Sequence, residues 1–289
     1  MNTNRRTFIR SALVAAAAPA ILPITAHAQA DAPKLKGRIK QSTTRWSVGN
    51  KPMDETCRTL KELGLHGLDL VSRGDWQALK DNGLVATMVP GAGSIKDGLN
   101  NAAKRDEWLR QFRENIPAAA AFGWKRVICM AGDREGISDA DGMAACVPVL
   151  KEAVKIAADH DVTICMELLN SKVDHPGYMC DHTAWGVELC KRVESPRMKL
   201  LYDIYHMQIM EGDIIRTIRD NIAYIGHFHT AGNPGRRDMD DDQELNYTGI
   251  MRTIAQLQDE GKFDGYVAHE FGPKNGLESL RKAIQICDV

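Results

Sequence analysis

Four residues able to hold a metal ion, Glu167, Asp203, His229 and Glu270, each close a short apolar run of strand length, and successive ones lie 36, 26 and 41 residues apart. The runs are VTICMEL (162–168), MKLLYDI (198–204), YIGHFHT (224–230) and GYVAHEF (265–271), each followed by a polar stretch and a helical pattern. That spacing leaves about one strand and one helix per ligand. In a (β/α)8 barrel the C-terminal ends of all strands converge on one mouth, so residues distant in sequence can surround one ion there. Upstream, IKQSTTRW, HGLDLV, LVATMV and RVICMA bring the count of apolar runs to eight. Eight strands alternating with helices is the barrel number, and the expected fold class is α/β, a single-domain (β/α)8 TIM barrel over residues 31–289. The rival, an open doubly wound sheet, calls for a glycine-rich nucleotide turn after its first strand, and the chain has none.

Helical periodicity predicts helices over 103–122, 139–159, 181–194, 209–220 and 246–260, with Asp181 and Asp213 in N-terminal turns where carboxylates favour exposed N–H groups. Two long polar loops, 90–107 and 231–247, are expected over the mouth. The Asp240-Asp241-Asp242 run lacks the order of ligands and glycine of a calcium loop and reads as a solvated acidic lid.

The N-terminus carries Arg5-Arg6-Thr7-Phe8, an alanine-rich apolar stretch and Ala26-His27-Ala28. This is the pattern of a twin-arginine export signal over residues 1–30, which predicts a periplasmic protein. The apolar stretch is too short to span a bilayer, so no membrane association is expected once it is removed. Its loss takes Arg5, Arg6 and Arg10 but no acid, moving the formal charge from −1 to −4. An acidic surface argues against a nucleic-acid partner. The seven cysteines show no CxxC pair and several sit in apolar runs, so buried inert thiols are expected, with Cys180 and Cys190 unbridged.

Any one of the four strand-end residues, taken alone, is an ordinary loop hydrogen-bonder. Four in register on successive strands form a shell for one divalent metal ion, with hard oxygens suiting Mg²⁺ and the imidazole tilting the choice toward Mn²⁺. Such an ion polarises a carbonyl and acidifies the neighbouring C–H. Glu167 and Glu270, opposed across the mouth, are the expected catalytic acid and base, and Asp203 and His229 complete the metal ligands.

The segment LYDIYHMQIMEGD (201–213) resembles the hydroxypyruvate isomerase family of xylose-isomerase-like barrels, the sugar isomerase and epimerase superfamily. MELLN (166–170), IGHFHTAGNPGRRD (225–238), ELNY (244–247) and HEFGP (269–273) extend the resemblance over most of the C-terminal half, while the N-terminal half carries weaker signatures. The resemblance implies that Glu167 and Glu270 exchange protons and bind metal, that Asp203 completes the shell, and that His206 faces substrate oxygens. The competing reading of His206 is a loop histidine packed against the next helix. Arg236 is the expected substrate clamp, because guanidinium offers a planar fork of donors, and Arg237 is expected to be solvated. His227, two residues before His229 and on the same face, is expected to support that ligand. His269 must face the other way and reads as structural, while Trp46 fits a pocket wall or the core. Two departures fall on the substrate side: His229 stands where the isomerases have glutamine, as in related ketose 3-epimerases, and Asp240 to Gln243 replace a Gly-Thr-Gly turn.

The expected function is a metal-dependent isomerase of a small hydroxy-keto acid or sugar working through an enediolate. The alternative is a 3-epimerase or lyase of keto-sugars or oxidised glycosides, which an exported enzyme more naturally meets. A non-catalytic periplasmic sugar-binding barrel is a third reading, and an endonuclease a fourth that the charge opposes. The expected partner is a small molecule, and barrels of this group often form homo-oligomers.

Overall fold

The computed structural model describes residues 34–49 and 51–289, so the export signal expected over 1–30 lies outside the described residues. Eight strands, β1 (Gln41–Thr44), β2 (Gly67–Asp69), β3 (Val85–Ala92), β4 (Arg126–Cys129), β5 (Thr163–Leu168), β6 (Met198–Asp203), β7 (Ile225–Thr230) and β8 (Val267–His269), follow one another around a closed parallel barrel. β8 pairs back onto β1, with Ser42 opposite Ala268, so no edge remains. This is the expected (β/α)8 barrel.

Period-two alternation sorts the strand residues. Met88, Ile128, Cys165 and Leu201 form a small apolar cluster separate from the main core, drawn from β3, β4, β5 and β6. Two residues further along the same strand faces come Pro90, Met130, Glu167 and Asp203. The apolar plug thus passes directly into the layer that forms the mouth. The outward-facing residues, such as Val127, Ile164, Leu200 and Phe228, join the large core beneath the surrounding helices.

Helices Arg105–Phe122, Asp139–Asp159, Thr183–Val193 and Tyr247–Asp259 fall where periodicity put them. The helix expected over 209–220 is instead two, Ile204–Met210 and Ile214–Asn221, because Gly212 (φ 66°) and Asp213 (φ 46°) turn left-handed between them. Asp213 makes no capping bond. Asp181 does not cap either: its carboxylate binds Arg134 and Ser171, and Glu211 accepts the Thr183 N–H at 2.6 Å in its place. Helices Met53–Glu62, Trp76–Asp81 and Leu277–Cys287 complete the ring without having been anticipated.

β3 runs on to Ala92 and takes Pro90 out of the expected loop. In the second long loop Asp241 and Asp242 are exposed, but Asp240 is paired with Lys274 at 2.7 Å and Asp238 is buried on the Lys274 N–H and the Ser279 hydroxyl. The acidic segment is therefore pinned to the loop after β8. All seven cysteines are free and buried. Among the described residues no helix is long and apolar enough to cross a membrane.

Candidate metal centre and active site

Glu167, Asp203, His229 and Glu270 each offer a ligand atom within 4.8 Å of all the others, and all four are buried. Local chemistry fixes each one. The Tyr178 hydroxyl donates to the Glu167 carbonyl at 3.0 Å and accepts the Ala131 N–H at 3.1 Å, stitching the ends of β4 and β5 together. Asp203 is the N-cap of the helix Ile204–Met210: one carboxylate oxygen accepts the His206 N–H at 3.1 Å, which leaves the other for the centre. Glu270 follows β8 and is anchored by its N–H to the Thr230 carbonyl at 3.0 Å.

His229 sits in the middle. Its Nδ1 lies 2.7 Å from Glu270 Oε2, 3.2 Å from Glu167 Oε1 and 3.9 Å from Asp203 Oδ2. Its Nε2 meets the Asp69 carboxylate at 2.6 Å. Asp69, at the end of β2, also accepts from Thr87 at 2.6 Å and lies 3.2 Å from His227 Nε2. Burial alone would raise the pKa of Asp69, but His227 and His229 outweigh it and hold the carboxyl well below the usual carboxylate range. An ionised Asp69 accepts a hydrogen bond from the Nε2–H and turns Nδ1 toward the three other carboxylates, the arrangement by which proteins orient a metal-binding imidazole. Sequence reasoning missed Asp69. It placed His227 on the correct face, but His227 reaches His229 through that aspartate.

A divalent ion fits this donor set. Glu167 Oε1, His229 Nδ1 and Glu270 Oε2 are buried without a hydrogen-bond partner although they crowd together, as atoms aimed at a common point are. Three carboxylates around one imidazole also leave an excess of negative charge that a cation compensates. Without one, the centre compensates internally: burial alone would lower His229, but Glu270, Asp69 and Glu167 raise it well above an ordinary histidine. Burial lifts Glu167 to about 7 against the pull of the nearby His229, and lifts Asp203 to about 6 against Arg236. At Glu270 burial is outweighed by His229 and Arg236, which bring it down to about 2.

The expected substrate-side residues converge here too. Arg236 Nη2 lies 2.7 Å from Glu270 Oε2 and 3.8 Å from Asp203 Oδ2, on a left-handed backbone (φ 55°), with its guanidinium over the Tyr205 ring. Arg237 is exposed. His206 is buried, and Asn170 donates to its Nδ1 at 2.6 Å. The Asn170 carbonyl oxygen is occupied by the N–H groups of Val173 and Asp174, which fixes the amide's orientation. Its NH₂ must therefore face His206, and the His206 proton sits on Nε2, unpartnered and 3.6 Å from Asp203 Oδ2. Burial, with Arg236, keeps that ring neutral, well below the usual histidine value. His175, which the sequence did not single out, places its ring 5.3 Å from that of His206 and also has an unpartnered Nε2. His269 faces away, between Gln41 at 2.8 Å and Thr230 at 2.9 Å. Trp46 does not enter the core: it is 47% exposed on a short turn after β1.

The family model described as xylose isomerase-like TIM barrel matches residues 76–287. The chain belongs to that family. Over 219 residues it is 29% identical to the hydroxypyruvate isomerase of Escherichia coli K12, covering 74% of this chain and 75% of that one. It is 34% identical over 162 residues to a 2-oxo-tetronate isomerase of Cupriavidus necator, covering 56% of this chain and 60% of that one. Among solved structures, one described as an AP endonuclease, family 2, from Brucella melitensis superposes with a TM-score of 0.74 at 25% identity over 83% of this chain and 96% of that one. The 3-keto-D-glucoside 4-epimerase of E. coli, at 21% identity, gives 0.71 over 86% and 98%, a likeness of fold.

Proposed function

We propose that the protein is a metal-dependent isomerase or epimerase of a small hydroxy-keto acid or keto-sugar. The observation that carries this reading is the pair of buried glutamates that reach His229 from different strand ends, Glu167 Oε1 at 3.2 Å and Glu270 Oε2 at 2.7 Å from its Nδ1, in one four-residue cluster with Asp203. Two carboxyl groups placed on different strands around one reacting centre can serve in turn as proton acceptor and proton donor. A bound divalent ion supplies Lewis acidity to the substrate's carbonyl and hydroxyl oxygens.

Ionised Glu270 takes the proton from the hydroxyl-bearing carbon beside the carbonyl. The C–H electron pair becomes the C=C bond of an enediolate, and the former carbonyl oxygen takes the charge. The neutral His206 Nε2–H donates to that oxygen. In an isomerisation, protonated Glu167 then delivers its proton to the neighbouring carbon, the hydroxyl proton passes to the former carbonyl oxygen, and the carbonyl reforms at the other position. In an epimerisation Glu167 returns a proton to the same carbon from the opposite face. Arg236 spans Glu270 and the substrate and holds a carboxylate or sugar oxygen. The names of the curated relatives favour the isomerase, and His229 at the ligand position on β7 favours the epimerase.

Deuterium exchange tests the chemistry. Manganese-loaded protein in D₂O should introduce deuterium at the carbon next to the carbonyl of hydroxypyruvate, a 2-oxo-tetronate or a ketohexose. Absence of exchange into all three would overturn the reading. The twin-arginine pattern supports export to the periplasm, and a mature N-terminus found near residue 30 in the periplasmic fraction would bear it out.

A further inference from the structure

The mouth of the barrel has two halves of opposite chemistry. Around β5 to β8 stand Glu167, Asp203, His229 and Glu270. Around β2 to β4, at the same height, lies a cavity of about 570 Å³ walled by Leu70, Pro90, Ile95, Ile128 and Met130. Its polar lining is already spent. Gln111 accepts the Gly93 N–H, Asn115 donates to the Gly91 carbonyl, and the Ser94 hydroxyl is closed on the backbone of Asp97. Among the lining residues Lys96 is the only charged one, and it is exposed at the rim.

Three further observations show that the cavity is built. The β2–β3 register shifts at Leu68/Asp69 and the β3–β4 register at Pro90/Ala92, so bulges open the mouth on both sides of it. Leu70, a bulky residue, is held left-handed at φ 52° and packs with Met130 against the apolar plug of the barrel. Strain of that kind persists where surrounding structure imposes it, commonly at ligand sites. Two of its walls are also tied to the supports of the metal centre: Leu70 follows Asp69, which holds His229, and the Met130 sulfur lies 3.7 Å from the Tyr178 hydroxyl that holds Glu167. A three-carbon acid bound at the acidic half leaves this space unused, whereas its volume is in the ~300–1,000 Å³ range of pockets that enclose drug-sized ligands.

We propose that the apolar half is a subsite for an aglycone, so that the natural substrate is a glycoside: a keto-sugar head at the acidic half carrying an apolar group of aromatic-ring size. This rests on the proton-transfer reading only for the chemistry at the head, because the apolar contact itself is a matter of binding.

The test uses the full chain loaded with Mn²⁺. Saturation-transfer NMR with phenyl β-D-glucoside and with glucose reads binding without turnover. The phenyl protons should saturate most strongly, with an affinity gain on the order of ten-fold over glucose, the scale of a filled apolar pocket. Leu70→Asn, which suits the left-handed backbone, and Ile95→Asp each remove an apolar wall and should erase that gain, with circular dichroism confirming the fold. Equal affinity for the two probes, or a gain indifferent to both variants, overturns the subsite. Deuterium exchange into a keto-sugar and its phenyl glycoside separates the two ideas. No exchange into either, with the phenyl gain intact and variant-sensitive, sinks the proton transfer and leaves the subsite. Exchange at equal kcat/KM, with no phenyl gain, does the reverse.

Discussion

Asp69→Asn should weaken metal binding without unfolding the barrel. The carboxylate accepts the His229 Nε2 proton at 2.6 Å and also engages Thr87 and His227, all of them buried. Asparagine matches it in volume and can still accept one hydrogen bond, so packing survives. What is lost is the charge that makes Nδ1 basic and the preference for the tautomer that aims Nδ1 at the centre. Removing such a support typically costs about 10- to 100-fold in metal affinity, or roughly 1.4–2.7 kcal/mol. Titration calorimetry of Mn²⁺ into metal-stripped wild type and variant measures this directly, and thermal melts of the stripped proteins control for folding. The same titrations in buffers of different ionisation enthalpy should show proton release on binding, because His229 holds a proton against three carboxylates until a cation displaces it. An Asp69→Asn protein that melts normally and binds Mn²⁺ within two-fold of wild type would refute the account of how His229 is oriented.

Glu270→Gln should keep an oxygen donor and lose its basicity, lowering turnover by about 10²-fold or more at full metal loading, and near-wild-type kcat would remove Glu270 from proton transfer. Arg236→Lys should lower kcat/KM for hydroxypyruvate far more than for a neutral keto-sugar, since an ammonium cannot reproduce a bidentate fork on a carboxylate; equal losses on both would show that the clamp is misassigned. Burial pushes the thiols of Cys146, Cys165 and Cys190 up to about 12, so Ellman's reagent should find no reactive thiol in the native protein and all seven after denaturation. Asp181 is raised by burial but lowered overall by Arg134, Ser171 and His182. Its folded value lies below the unfolded one, so its stabilisation is present above about pH 4 and is lost as pH falls through the folded value. Asp181→Asn should therefore flatten the acid limb of urea midpoints measured from about pH 6 to pH 3, and an unchanged limb would count against this.

What could be read from the sequence and what could not divide along a physical line. The four ligands were legible because each closes an apolar strand, and parallel strands bring equivalent positions to one end of a barrel whatever lies between them. Asp203 carries a double signal, since a strand-ending aspartate three residues before His206 is both an N-cap and a ligand. Asp69 ends a strand in the same way, within HGLDLV, yet it reaches His229 across 160 residues and the full width of the lumen. Nothing local to either residue marks that contact; only closure of the barrel creates it. The split helix at Gly212 was missed for a related reason, because periodicity reports which face is apolar and not where a left-handed turn redirects the chain. The apolar half of the mouth is subtler still. Pro90 and Met130 stand in the same positions relative to the plug as Glu167 and Asp203, so the sequence reads them as two more hydrophobic residues among many. Only when the acidic arc is seen to stop at β5 does their apolar character become information about the ligand, because residues in that position line the space beside the metal centre rather than the core.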